Sequence, residues 1–426
     1  MCIRDRDTAN VFINNRIDDG SYSFHLTGNG GGITNTLISG NHLEPYYRGI
    51  YNSAHQGVTI SHNTIIADNH TSGLGLEIYT GHNLKEFSYN RIQAPGGQYG
   101  IYIDNCDNTV SNRGKIYNNF ISVGGTGVAR GIYLNGSAFQ DILHNSVLVY
   151  STNGTLANTT PLYLTSNPSL RVLNNALKND GSGYAVYANS NTSFASDNNA
   201  YYTDGSTFGY WNGGAVETTF ASWKTASLQD TNSINIDPNF MSNTDLHTFL
   251  VLLDEAGDPT TGIALDFDGE QRDSLPDIGA DEFDPLPSND AGIFMFAGPH
   301  IPFASGNHPV NLVVKNFGGN ALTSATVRWA VNGIEQTPFE WTGNLPSAIC
   351  DTFQVGSFVF EELIAYNIDA WTEMPNDTAD AEPENDLLST GTFYASLAGT
   401  YTVGGCLLYT SPSPRDRTRS RMPSSA

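Results

Sequence analysis

The chain is short of positive charge, of cysteine and of long apolar runs, and each shortage removes a class of function. Its 19 Lys+Arg stand against 43 Asp+Glu, a net charge of −24. So acidic a surface repels phosphate backbones and anionic headgroups, which argues against nucleic acid and membrane surfaces as partners and leaves divalent cations and neutral glycans. No stretch of roughly 18 apolar residues occurs, so no membrane insertion is expected. Four cysteines supply neither a disulfide framework nor a zinc spacing: Cys2 and Cys406 sit near the ends, and Cys106 and Cys350 are far apart.

The two ends differ from the rest. MCIRDR at 1–6 and CLLYTSPSPRDRTRSRMPSSA at 406–426 resemble translated read-through of sequencing-library adapters on a metagenomic reading frame, and both are set aside for fold reasoning. They hold six arginines (4, 6, 415, 417, 419, 421) and two aspartates (5, 416), so the remainder keeps 13 Lys+Arg and a charge of −28. On this reading the chain is an internal fragment, and the other domains of a longer protein are among its partners.

Between the ends one pattern recurs: an apolar-x-apolar stretch, an Asn, and a further apolar residue, as in GVTISHNTI, LKEFSYNRI, GKIYNNFI, FQDILHNSV and LRVLNNAL. The anchors Asn15, Asn41, Asn63, Asn90, Asn119, Asn145, Asn175 and Asn199 are 26, 22, 27, 29, 26, 30 and 24 residues apart. That is a constant frame with turns of variable length. About twelve residues upstream of most anchors lies a second alternating element, RGIYN, YGIYI, RGIYL, TPLYL or YAVYA, so each repeat carries two or three short strands. Coils of this kind bury their apolar residues only by stacking, at ~4.8 Å per coil, and eight would make a rod roughly 35–40 Å long. Asn suits the corner because it tolerates a left-handed backbone and its amide can bond to the same amide one coil away.

These repeats resemble the right-handed parallel β-helix of the pectate-lyase-like superfold. The resemblance implies an all-β rod of about eight or more coils over 7–284. Its closing segment, 234–284, contains NIDPNFMSNTDLH, LLDEAGDP and DFDGEQRDSLPDIGADEF, similar to the ends of β-helices in secreted bacterial surface proteins. There Asp266, Asp268, Asp277 and Asp281 surround Arg272. Either the arginine bridges these carboxylates in a cap that closes the last coil, or Asp266 and Asp268 begin a calcium loop, for which no glutamate stands at the twelfth position.

After a linker at 285–290, the alternating segments VNLVVKN, ATVRWAVNG and ELIAYNIDAWTE predict a β-sandwich over 291–388. VNLVVKNFGGNALTSATVRWAVNG and NDTADAEPEND resemble the CARDB, immunoglobulin-like modules that follow β-helices in secreted proteins of Bacteroidota. Trp329, Trp341 and Trp371 are read as packing residues rather than sugar platforms. LAGTYTVGG, within 389–405, resembles the opening of a further β-helix domain.

Alternation places Tyr51, Tyr102, Tyr133, Tyr163 and Tyr187 on one outward face, with His25 at the start and either Glu77 or Tyr79 in the third coil. Such a stripe either binds sugars or is a ladder of like side chains that stabilises the sheet. For catalysis, lyases of the superfold need a base and a cation beside the substrate carboxylate, whereas hydrolases need close aspartates. Arg48, Glu77, Lys85, Asp104, Asp107 and Arg130 are the candidates near the first strand, but they form no motif. Arg48 and Arg130 read as solvated rim charges, Asp104 and Asp107 as turn formers, and His62 and His144 as turn residues rather than metal ligands. The first expectation is a non-catalytic extracellular module, secreted or at the cell surface, with a glycan-contacting face. The alternatives are a polysaccharide lyase or glycoside hydrolase and a purely mechanical stalk. No cofactor is required, calcium excepted.

Overall fold

A computed structural model describes residues 2–4, 9–28, 34–67, 70–153, 158–190 and 193–396. The stretch 397–405 and the tail 406–426 lie outside them. Two compact units, Met1–Pro285 and Leu286–Ala426, divide the chain. Only 4% of it is helical.

The first unit is a parallel β-helix of about seven turns, built from sheets of ten, eight and nine strands. Each coil donates one strand to each sheet. Tyr99–Asp104 lies in the first, Gly114–Tyr117 in the second and Phe120–Val123 in the third, and the next coil repeats the order with Ala129–Asn135, Gln140–Leu143 and Ser146–Val149. Inward positions stack like on like. Ile101, Ile116 and Ile121 lie over Ile132, Ile142 and Val147 of the following coil, all at most 1% exposed. Among the described residues no second-sheet strand follows Ala195–Asp197, and the chain enters a helix, Phe220–Ser227.

The glycine of the Gly-Ile-Tyr strands is explained by close approach. A Cβ at Gly49, Gly75, Gly100 or Gly131 would stand 2.4, 2.2, 2.2 or 2.1 Å from a methyl of Ile65, Ile92, Ile121 or Val147. The first and third sheets therefore meet too tightly there for any side chain.

The asparagine ladder is continuous. From Asn15 to Asn199 each anchor's Nδ2 donates to the next anchor's Oδ1 at 2.8–3.0 Å. Each anchor's backbone N–H donates to the same oxygen. The expected left-handed backbone falls one residue earlier, at Asn14, Gly40, His62, Tyr89, Asn118, His144, Asn174 and Asn198. That residue turns the corner, which frees the anchor to point inward and bond.

The last coil is closed differently from the expectation. The helix Phe220–Ser227, held by a reciprocal Thr219/Ser222 capping box, packs Trp223, 0% exposed, against Phe208 and Trp211. Asp230 takes the Trp223 indole N–H at 2.7 Å, and Ser233 Oγ receives the final anchor's N–H from Asn199 at 2.9 Å. Residues 237–283 instead fold back along the outer face of the third sheet. Phe267 stacks on Phe120 at 3.9 Å, Lys178 reaches Asp237 at 2.9 Å, and Arg91 donates to the Thr244 carbonyl at 2.8 Å.

The second unit pairs Ala291–Gly298, Gly306–Asn316 and Cys350–Phe360 in one antiparallel sheet. Leu322–Val331, centred between Phe339–Leu345 and Ile368–Glu373, organises another, consistent with a β-sandwich. Trp329 and Trp341 are buried in its core, 3% and 4% exposed, whereas Trp371 is half-buried. The sandwich runs past residue 388. Leu388–Ser389 and Phe393–Tyr394 pair with its strands, and Phe393 and Ala395 enter its core, so residues up to 396 complete this unit. Cys106 and Cys350 are both free thiols.

Candidate functional site

The outward column of the first sheet follows from strand register. His25, Tyr51, Glu77, Tyr102, Tyr133, Tyr163, Tyr187 and Tyr210 are neighbours in successive coils. Tyr210 joins the column from the short Gly209–Trp211 strand, which lacks the Gly-Ile-Tyr pattern that marks several other coils. From Tyr102 onward the rings lie face to face, with centroids 4.6, 5.2, 4.1 and 4.6 Å apart. The faces thus stack on one another, and the half-buried rings present their edges and hydroxyls. Burial raises the phenol pKa at Tyr102, at Tyr133 and, to about 12, at Tyr187, so these hydroxyls remain donors at neutral pH. A second column, Thr27, Ser53, Tyr79, Asp104, Asn135, Thr165 and Asn189, runs beside it, a line of hydroxyls, amides and one carboxylate.

In the third coil it is Glu77 that holds the ladder position. Tyr79 stands two residues on, in line with Ser53 and Asp104, and its ring bridges the gap, 6.1 Å from Tyr51 and 5.3 Å from Tyr102. Glu77 is 3% exposed and Arg48 Nε lies 2.7 Å from its Oε2. Arg48 also donates to the hydroxyls of Tyr47 at 2.9 Å and Tyr22 at 3.2 Å and lies 4.5 Å over the Tyr47 ring. Arg130 sits 3.8 Å over Tyr163. Neither arginine is a solvated rim charge, because Tyr47 for Arg48 and Tyr163 for Arg130 give each a π-face to cover. Burial pushes the Glu77 carboxyl above its usual range against the pull of Arg48. Arg48, Tyr51, Ser53, Glu77, Tyr79 and Thr80 line a depression of about 510 Å³.

The remaining catalytic candidates do not converge on this depression. Lys85 directly precedes the second-sheet strand Glu86–Ser88 and is exposed, so it faces away from the first sheet. Asp104 accepts from Asn135 at 2.7 Å and Asn105 at 3.1 Å, and Asp107 from the Ala138 N–H at 2.9 Å. Both are held as structural acceptors. What remains is a buried ion pair beneath hydroxyl-bearing columns, a surface suited to polar recognition more than to proton transfer.

In the closing segment Arg272 does not bridge the four aspartates. Its guanidinium pairs with Glu282 at 2.8 Å and donates to Asn118 Oδ1 and the carbonyls of Gly279 and Ala280, pinning the fold-back to the corner residue of the Asn119 coil. Asp266 accepts from the N–H groups of Asp268, Glu270 and Glu282, so both its oxygens cap the turn. Asp268 turns instead to His247 Nε2 at 2.6 Å, with Asp281 at 3.8 Å, while Asp245 holds Nδ1. Burial pushes Asp277 and Asp281 up to about 7. Among the described residues His62 and His144 ligate no cluster. His144 is sealed in, bonded to Thr261 and Asn174, and burial holds it neutral.

No protein-family model matches the chain, and no curated protein does. Among solved structures it is similar to the CARDB domain of a Pyrococcus furiosus protein, at 22% identity over 26% of this chain and 97% of that one, with a TM-score of 0.21. A crystal form of that domain, in complex with di-metal ions, matches at 20% identity over 26% of this chain and 94% of that one, with a TM-score of 0.20.

Proposed function

We propose that the chain is a non-catalytic module of a secreted or cell-surface bacterial protein. Its β-helix acts as a spacer, the outer face of the first sheet contacts an extracellular glycan, and the second unit is a CARDB-like sandwich. The observation that carries this reading is the column of phenols from Tyr102 to Tyr210, unbroken over five coils and flanked by a column of hydroxyls and amides. Because the ring faces are occupied by one another, recognition runs through phenol hydroxyls and ring edges, which bond to sugar hydroxyls along a repeating polymer. The acidity of the chain supports a neutral glycan over a uronate.

A glycan array probed with the full chain tests this. The expected result is retention of a neutral polysaccharide that weakens at least ~10-fold in Tyr133→Phe, which removes one hydroxyl and leaves the stack intact. Binding to no glycan would leave the spacer role alone. The lyase alternative draws on the Arg48–Glu77 pair in an open depression, but Glu77 is too deeply covered to meet a substrate without first giving up Arg48.

A further inference from the structure

The sandwich holds three carboxylates that glycan contact does not use. Asp290 directly precedes the strand Ala291–Gly298, and Asp380 and Asp386 belong to the acidic loop DTADAEPEND at 377–386. Asp290 is 3% and Asp386 8% exposed. One oxygen from each of the three lies within 4.8 Å of the others, and oxygens on opposite sides of a calcium ion, at ~2.4 Å each, are about 4.8 Å apart.

The protein satisfies these groups only in part. Asp290 Oδ2 accepts from Asn385, Asp380 from the N–H groups of Ala291 and Glu382, and Asp386 from Thr372 Oγ1. Among the described residues Asp290 Oδ1 is buried with no hydrogen-bond partner. Oxygens of Asp380 and Asp386 lie within 4.8 Å of each other, and two anions at that separation repel unless a proton or a cation lies between them. The charged groups that raise Asp290 are Asp380 and Glu382, and those that raise Asp386 are Asp380 and Asp290, all acidic. Buried carboxylates without a counter-charge are costly, so a cation or a proton must offset the charge.

We propose that Asp290, Asp380 and Asp386 bind one Ca²⁺, which ties the acidic loop to the first strand of the sandwich. An all-oxygen donor set selects a hard cation, and irregular carboxylate spacing suits calcium over the smaller, strictly octahedral Mg²⁺. Affinity should fall near the ~10⁻⁴–10⁻³ M of extracellular calcium modules.

The test is calorimetric titration of the chelator-treated full chain with CaCl₂ at pH 8, with thermal unfolding in parallel. One Ca²⁺ per chain and a raised unfolding midpoint are expected. Asp380→Asn, the half-buried and mildest change, should weaken binding at least ~10-fold, while Asp268→Asn in the β-helix should leave it unaltered. If the folded wild-type chain takes up no calcium at millimolar concentration, a shared proton is the counter-charge and the proposal fails. It fails equally if Asp380→Asn binds as wild type or if Asp268→Asn abolishes binding.

Discussion

Replacing Asn145 by alanine removes a rung from the middle of the ladder, and the structure sets the cost. Asn145 is 0% exposed. Its Oδ1 accepts from the Asn119 N–H at 3.2 Å and Asn119 Nδ2 at 2.9 Å. Its Nδ2 donates to Asn175 Oδ1 and to the carbonyls of Ile116 and Leu143 at 2.9–3.0 Å. After truncation, Asn175 Oδ1 keeps the backbone N–H of position 145 and Asn119 Nδ2 keeps the Phe87 and Tyr117 carbonyls. The Asn119 N–H is left facing a cavity. One orphaned buried donor costs about 1–3 kcal/mol and the two amide groups that keep other partners, at Asn119 and Asn175, about 1 each, so the loss is about 3–5 kcal/mol. The side chain of Asn15, exposed at the start of the ladder, donates among the described residues to Asn41 and Ile13, and Asn15→Ala should cost about 1 kcal/mol or less. Urea unfolding followed by circular dichroism measures both. Equal losses, or less than about 1 kcal/mol at Asn145, would refute the ladder as a source of stability.

Three further outcomes follow from the same geometry. Gly100→Ala places a methyl 2.2 Å from Ile121 Cγ2 and 2.8 Å from the Gly131 carbonyl and should destabilise by about 1–3 kcal/mol, part of which Ile121→Ala restores, as urea midpoints of the single and double variants will show. Glu77→Ala leaves Arg48 without its counter-ion and should cost about 2–4 kcal/mol, below the full value for a buried pair because Tyr22 and Tyr47 still bond the guanidinium. Stability should also depend on pH. Asp277, Asp281 and Asp386, raised by burial to about 7, bind protons more tightly folded than unfolded, where aspartates titrate near ~3.9, so their contribution falls as pH rises from about 4 to about 7. His247 acts in the same direction: burial opposes its charge, but hydrogen bonds to Asp268 and Asp245 outweigh this and raise its pKa. Its stabilisation is complete below ~6.5 and is lost as pH climbs past the raised value. Asp245, lowered by His247 against its own burial, works oppositely below ~4. In calcium-free buffer the melting temperature should peak near about pH 4 and fall towards pH 8; a maximum at pH 8 would contradict these assignments.

The coil frame was legible because it is periodic. The eight asparagines and the Gly-Ile-Tyr strands repeat at positions whose physical demands repeat, a buried amide at one corner and a missing Cβ at one close approach. The non-repeating parts were harder to read. Nothing local distinguishes Glu77 from Tyr79 as the ladder residue, since only pairing with Arg48 in the previous coil decides it. Arg48 and Arg130 read as surface charges because part of what covers them, Tyr22 and Glu77 over Arg48 and Tyr163 over Arg130, comes from other coils. The helix Phe220–Ser227 occurs once, though Thr219 and Ser222 mark its start. The closing segment showed its charges but not their partners: Arg272 finds Asn118, 154 positions away, and Asp268 finds His247 rather than Asp266.

The central claim is that the first-sheet face contacts glycan without cleaving it. The most direct measurement incubates the full chain with a panel of extracellular polysaccharides, neutral and acidic, and follows reducing ends and unsaturated products over time. The account predicts no product from any polymer, including those the chain retains. Product formation that disappears in Glu77→Gln would contradict it and place chemistry at the Arg48–Glu77 pair.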